Sequence, residues 1–244
     1  MFSRLRVERT AWQQWHTHHM SAAADDEISP MSEAEIAPVK SRERLLDVAE
    51  MLFGQLGYEA TSTRNIATKA GVTLGTVHYH FASKRQLFVE VFMRRGRSLV
   101  AERMRLLEEA HRRWPNGDIP LSELIKRYAF PLAEMALKPG GAAFAQLHSR
   151  LMSEPPDLAQ EVRSMLHNET TPLYVTAFKN ALPHLPEEVL YWRFYFMLGV
   201  NTYTLLKSLR LDFISGGTCS SDDLESAMRQ TVPFLEAGFR APPP

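Results

Sequence analysis

Ala67, Gly71 and Val77 stand four and six residues apart within "GYEATSTRNIATKAGVTLGTVHYHFASK", and that spacing leaves few folds open. It is the spacing of a helix-turn-helix. A small residue lets two helices approach, a glycine supplies a left-handed turn, and a β-branched residue plugs the second helix onto the first. The flanking sequence agrees. Leu45, Val48, Ala49, Leu52 and Leu56 form one apolar stripe at helical spacing, and Gly57 ends it. Thr63 is placed to cap a short helix with Ile66, Ala67 and Ala70 inward. Thr73 is placed to cap another that ends near His80. Ser83 with Gln86 three residues on reads as a capping box opening a long helix to about Arg113.

The second short helix carries the chemistry. With Val77 inward, Thr73 and Phe81 fall on its side, Gly75 and Tyr79 opposite, and Thr76 and His78 on the flanks. The outward face thus offers a hydroxyl, an imidazole, a phenol and bare backbone. These groups contain no nucleophile–base pair with an orienting partner, but they suit base edges and phosphates in a major groove. His78 and His80, two apart on a helix, diverge and make a poor metal site. His80 lies only about 60° from Val77, so packing at the helix end competes with DNA contact there. No acid occurs between Glu59 and Glu90, while Arg64, Lys69, Lys84 and Arg85 do. Formal net charge is zero, so any affinity for nucleic acid must come from such a local patch and not from bulk charge.

The stretch "RERLLDVAEMLFGQLGYEATSTRNIATKAGVTLGTVHYHFASKRQLFVEVF" resembles the DNA-binding domain of the TetR family of transcriptional regulators. The resemblance implies homodimers built from a three-helix DNA-binding domain and an all-helical domain that binds a ligand and dimerises. It also implies that Thr63, Arg64, Thr73, Thr76, His78, Tyr79, His80 and Lys84 occupy positions that commonly touch DNA. His78 stands where the family usually has tyrosine, and Leu74 where a polar or basic residue is common, which leaves base preference open.

After Pro120 the periodicity predicts helices over 121–137, 141–153, 157–182, 187–209 and 222–239, with no alternating segment that reads as a strand. Pro131, Pro172 and Pro233 fall inside these segments and predict kinks or misplaced boundaries. The fold class is therefore all-α and TetR-like. Residues 1–38 read as a disordered tail, 39–85 as the helix-turn-helix domain and 86–240 as the helical effector and dimerisation domain. "YWRFYFMLGVNTYTLLKSL" is apolar nearly all round and needs covering on both sides, one face by its own core and the other by a second subunit. Leu224, Met228, Leu235 and Phe239 read as a second seam of the same interface, with Leu206 a guess at a position in it.

This half resembles TetR effector domains, above all a branch responding to fatty-acyl or other apolar compounds. Phe130, Phe144, His148, Met152, Tyr174, Phe178 and Asn201 are the candidate lining of a pocket for a small apolar effector, acyl or aromatic, with one polar end. Each aromatic taken alone reads equally as core.

The expected function is a ligand-responsive repressor, released from a palindromic operator on double-stranded DNA by that effector and acting as a cytoplasmic homodimer without cofactor or metal. The alternatives are an all-α enzyme and a binding protein with a relic helix-turn-helix. Against the enzyme, no GxSxG, HExxH, paired-carboxylate or phosphate-loop motif occurs. A single cysteine, Cys219, excludes an internal disulfide, and no apolar run approaches a membrane span. His16, His18 and His19 in the tail lack a second ligand cluster and read as solvated.

Overall fold

The structure, a computed structural model, describes residues 33–206 and 209–244, with side chains from Lys40 onward except His167. His16, His18, His19 and the tail expected through residue 38 lie outside the described residues up to 32. From Glu33 the chain is helical, earlier than the periodicity placed it. Ser41–Pro244 forms one compact unit, apart from the residues before it.

Eleven helices and no strand occur among the described residues. They are α1 (Glu33–Ala60), α2 (Thr63–Ala70), α3 (Leu74–His80), α4 (Lys84–Arg113), α5 (Leu121–Leu137), α6 (Gly141–Arg150), α7 (Pro156–His167), α8 (Thr170–Ala181), α9 (Glu187–Leu205), α10 (Arg210–Ile214) and α11 (Leu224–Arg240). Gly57 breaks α1 with φ of 84°, a conformation that favours glycine. Thr63 does not cap α2. Ser62 does, its hydroxyl accepting the Asn65 N–H, and Thr63 is the first helical residue.

Two expected boundaries move. The segment 157–182 divides between α7 and α8, so Pro172 lies in the first turn of α8, where a missing N–H is tolerated. The segment 187–209 ends at Leu205, and α10 occupies part of the expected loop. Pro131 and Pro233 do sit inside helices, α5 and α11. Pro131 has no N–H to give the Arg127 carbonyl four residues back. Tyr174 of α8 stands in for it. Its buried hydroxyl lies 3.1 Å from the Arg127 carbonyl oxygen and 2.9 Å from that of Arg103, with one proton shared between them.

One buried cluster joins the helix-turn-helix to the rest of the chain. Leu45, Phe53, Ile66, Val77, Phe81 and Phe88 pack in it with Leu132, Phe144, Leu147, Leu158 and Leu166. Each such side chain contributes about 1.5–3 kcal/mol by leaving water. Helix α4 is the shared element, and its Gly96 lies so close to α7 that a Cβ there would meet Leu166 at 2.3 Å. Polar contacts fix its angle to α1. The buried Glu50 carboxylate accepts from Arg94 and Arg95, and Arg42 pairs with Glu90. A second cluster, around Tyr128, Tyr174, Phe178, Phe194 and Phe239, fills the far end.

Candidate functional site

A polar, outward-facing surface forms on α3. Thr73 caps the helix by accepting the Thr76 N–H, and the two hydroxyls lie 3.0 Å apart. Gly71, at φ 65° and ψ 35°, turns the chain from α2 into α3. Val77 is 1% exposed and seals the two helices together, while Tyr79 is 78% exposed. His78 and Thr73 are exposed and Thr76 half-buried. Thr73 therefore belongs to the outward surface rather than to the Val77 side expected from the helical wheel. His80 points the other way, its Nε2 lying 2.8 Å from the Ser41 hydroxyl, so packing takes at least one ring nitrogen.

The cations divide. Arg64 and Lys69 are exposed, and no carboxylate pairs with either among the described residues. Lys84 donates to the Tyr58 carbonyl at 3.0 Å and sits over the Tyr58 ring. Arg85 is matched by Asp157 and Glu161 of α7, and the bond it gives holds the Asp157 carboxyl below the usual range. The acid-free stretch in sequence is therefore not acid-free in space: Arg85 adds no net charge to the surface. Ser83 caps α4, but Gln86 returns its side chain to the Ala82 N–H, one residue earlier than in the expected box.

A second feature lies among α4, α5, α6, α7, α8 and α9. It is a cavity of about 970 Å³, lined by Tyr128, Leu132, Leu151, Leu198 and Val200 among others. Of the seven residues read as pocket lining, His148, Met152 and Asn201 border it. The other four lie elsewhere. Phe130 borders a shallower hollow beside α11. Phe144 is buried against Phe92. Phe178 packs between Phe194 and Phe239, and Tyr174 donates to the Arg127 carbonyl that Pro131 leaves without a helical partner. Aromatic identity alone does not tell a cavity wall from core, because both bury apolar surface.

Most of the lining was missed, including Tyr128, Leu132, Leu151, Leu198 and Val200, and the missed residue with the most distinctive chemistry is Arg103. It is 2% exposed, with its guanidinium 4.1 Å over the Tyr128 ring and Nε donating to the Tyr128 carbonyl at 3.0 Å. A signal for it existed: Arg103 falls on the Leu99–Leu107–Ala110 stripe of α4, where an inward charge is out of place.

The α9 helix leaves a large apolar surface uncovered. Leu190, Phe194 and Met197 face the core, while Tyr191, Trp192, Tyr195, Phe196 and Tyr203 are exposed. The second seam was misplaced. Leu224, Leu235 and Phe239 are buried within the subunit, and the exposed aromatic of α11 is Phe234. Leu206 is half-buried at the end of α9. Among the described residues no group of three or more His, Cys, Asp or Glu converges as a metal site, and no helix is long and apolar enough to cross a membrane.

A helix-turn-helix joined by one long helix to an all-α domain with a part-open cavity is the architecture of a transcriptional regulator. Residues 45–91 match the family of bacterial regulatory proteins called tetR, and residues 127–238 match the tetracyclin repressor-like C-terminal domain. Together these span more than half of the chain, which belongs to the TetR family. The HTH-type transcriptional regulator AcrR of Shigella flexneri is 45% identical over 53 residues, 22% of this chain and 25% of that protein. The repressor KstR2 of Mycolicibacterium smegmatis is 41% identical over 54 residues, 22% of this chain and 26% of that protein. The match thus spans about a quarter of these curated relatives' length.

Two solved structures share the fold over nearly their whole length. The TetR-family regulator PfmR from Thermus thermophilus covers 82% of this chain and 100% of its own, at TM-score 0.54 and 18% identity. The fatty acid degradation regulator FadR from Bacillus halodurans covers 81% and 99%, at TM-score 0.54 and 18% identity.

Proposed function

We propose that this regulator is a cytoplasmic homodimeric repressor that holds an inverted-repeat operator and is released from it by a small apolar effector. The observation that carries the reading is α4. It begins one residue after the Ser83 cap beside α3 and passes the cavity at Arg103, so the proposed DNA surface and the cavity share one rigid element. Thr76, His78 and Tyr79 read bases. Thr63, Arg64 and Thr73 lie at helix starts, where backbone N–H groups favour phosphate, and Lys84 joins them. His80 contributes chiefly by seating the helix end. A dimer through the exposed face of α9 sets two α3 helices about one helical turn of DNA apart, roughly 34–36 Å.

An effector in the cavity pivots α4 and spreads the two α3 helices, because packed cores switch between discrete arrangements. His148 and Asn201 meet its polar end. A tenfold loss of operator affinity needs about 1.4 kcal/mol of coupling. The similarity of fold to a fatty acid degradation regulator favours acyl over other apolar effectors.

Gel-shift against the DNA upstream of the chain's own gene, at two salt concentrations, tests the first half. A steep salt dependence on an inverted repeat supports it. No binding at low salt leaves a relic helix-turn-helix. Repeating the titration with fatty acids, acyl thioesters and aromatic acids tests the second half. If only polar or cationic compounds release the DNA, the effector reading fails while the repressor stands.

A further inference from the structure

Two arginines sit nearly buried on neighbouring faces of this core, and they are treated differently. Arg127 has Glu123 at 3.4 Å and Glu109 at 3.8 Å. Arg103 has no carboxylate within salt-bridge distance among the described residues, and its neighbour Glu102 is taken by Arg105 at 2.7 Å. Its Nε is used by the Tyr128 carbonyl, but its Nη1 is buried with no hydrogen-bond partner. A buried guanidinium left without a counter-charge is expensive, and arginine keeps its proton at any physiological pH. The cavity it borders contains a second arginine, Arg163, and no aspartate or glutamate.

We propose that the cavity takes an amphiphile with an anionic oxygen head, a carboxylate or a phosphate, and that the Arg103 guanidinium supplies the counter-charge for that head. The inference rests on the effector reading above and sharpens it. The ligand supplies the counter-charge that the fold withholds, while Leu132, Leu151, Leu198 and Val200 meet its apolar body. Arg103 lies on α4, so the ligand's charge acts directly on the helix that only three residues separate from α3. A neutral head leaves the buried guanidinium without a counter-charge and gains less.

The test titrates the full-length protein by calorimetry with straight-chain carboxylates, alkyl phosphates and primary alcohols of matched length, below micelle formation, and follows operator affinity in parallel. We expect one anionic head to bind about tenfold or more tightly than the alcohol of the same length. The stronger anion identifies the head. Arg103→Gln is expected to bring all three heads to similar affinity. Since that variant also loses the Tyr128 contact, its folding is checked by circular dichroism. The wild-type comparison and Arg163→Gln stand independently of it.

Alcohols binding as well as both anions overturn the inference, as does an Arg103→Gln protein that keeps the preference. Loss of the preference in Arg163→Gln alone moves the head to Arg163 and overturns the assignment. Alcohols that bind equally and still release DNA leave the effector reading intact. Anions that bind with preference but leave operator affinity unchanged uphold the inference and sink the effector reading. Failure of every chain and head to bind sinks both.

Discussion

The Lys84 ammonium lies 3.0 Å from the Tyr58 carbonyl oxygen and 4.1 Å from the centre of the Tyr58 ring. One of its three N–H groups thus ties the start of α4 to the last turn of α1, and the others remain for a phosphate. Lys84→Ala is predicted to weaken binding to all DNA sequences about equally and to lower the log–log salt slope by about 0.9. It is also predicted to cost roughly 1 kcal/mol of stability, since the cation–π and carbonyl contacts go with it. Salt-dependent gel-shift and thermal melting measure the two effects separately. An unchanged slope assigns Lys84 a purely structural role.

Tyr79 is predicted to behave in the opposite way. It stands out of α3 and supports little of the core, so Tyr79→Ala is expected to leave stability within about 0.5 kcal/mol. Affinity for the operator is expected to fall, and the ranking of single-base operator variants to change. A variant with intact affinity and ranking means that another surface enters the groove.

Trp192→Arg addresses the α9 face at a residue that does not itself border the cavity, though its neighbours Tyr195 and Phe196 do, so effector binding by the variant is measured alongside. Trp192 is 55% exposed and stacks with Tyr195 and Phe196. A charge buried there in a two-fold interface meets its own copy, so the variant is predicted to sediment as a monomer and to lose specific DNA binding. A monomeric wild type at micromolar concentration removes the dimer from the proposal.

The last turn of α1, which Lys84 ties to α4, is held from the other side as well. The Tyr58 N–H donates to both oxygens of Glu154, at 3.2 and 3.0 Å, and Glu154 belongs to the segment between α6 and α7. Glu154→Ala leaves a part-buried N–H without an acceptor, at a predicted cost of about 1–3 kcal/mol. It is also expected to shrink the drop in operator affinity that an effector causes. Equal induction in variant and wild type means that α4 alone transmits the signal.

Arg85 and Asp157 make a further bridge from α4 to α7 that acid breaks. The bond from Arg85 lowers the pKa of Asp157. The contribution of this pair is complete above the ordinary aspartate value and is lost as pH falls through the depressed one. Carboxyl titration by NMR is expected to place the Asp157 midpoint higher in Arg85→Gln than in wild type. Coincident midpoints mean that the pair does not form in solution.

The helix-turn-helix was legible because its determinants are local. Gly71, Val77, Thr73 and Ser83 act within a few residues of themselves, and their spacing fixes their roles. Ser62 was passed over for Thr63 because adjacent hydroxyl residues differ only by a register that the backbone settles. The cavity was legible in part. His148, Met152 and Asn201 reach it, while Phe144 and Phe178 do not, because which face of an apolar helix is left unfilled depends on six helices packing at once. Arg85 shows the same limit for charge: its partners lie more than seventy residues away in sequence.

The proline inside α5 carries a consequence for how this chain can change over time. Pro131 and Tyr174 are interdependent: the proline withholds a proton that the phenol provides. A lineage that loses the Tyr174 hydroxyl first passes through an intermediate with an unsatisfied buried carbonyl. One that replaces Pro131 with alanine first restores the helix's own donor and removes that demand on the Tyr174 hydroxyl, leaving position 174 constrained by its packing in the core. The two substitutions are therefore order-dependent, and the permitted route runs through position 131.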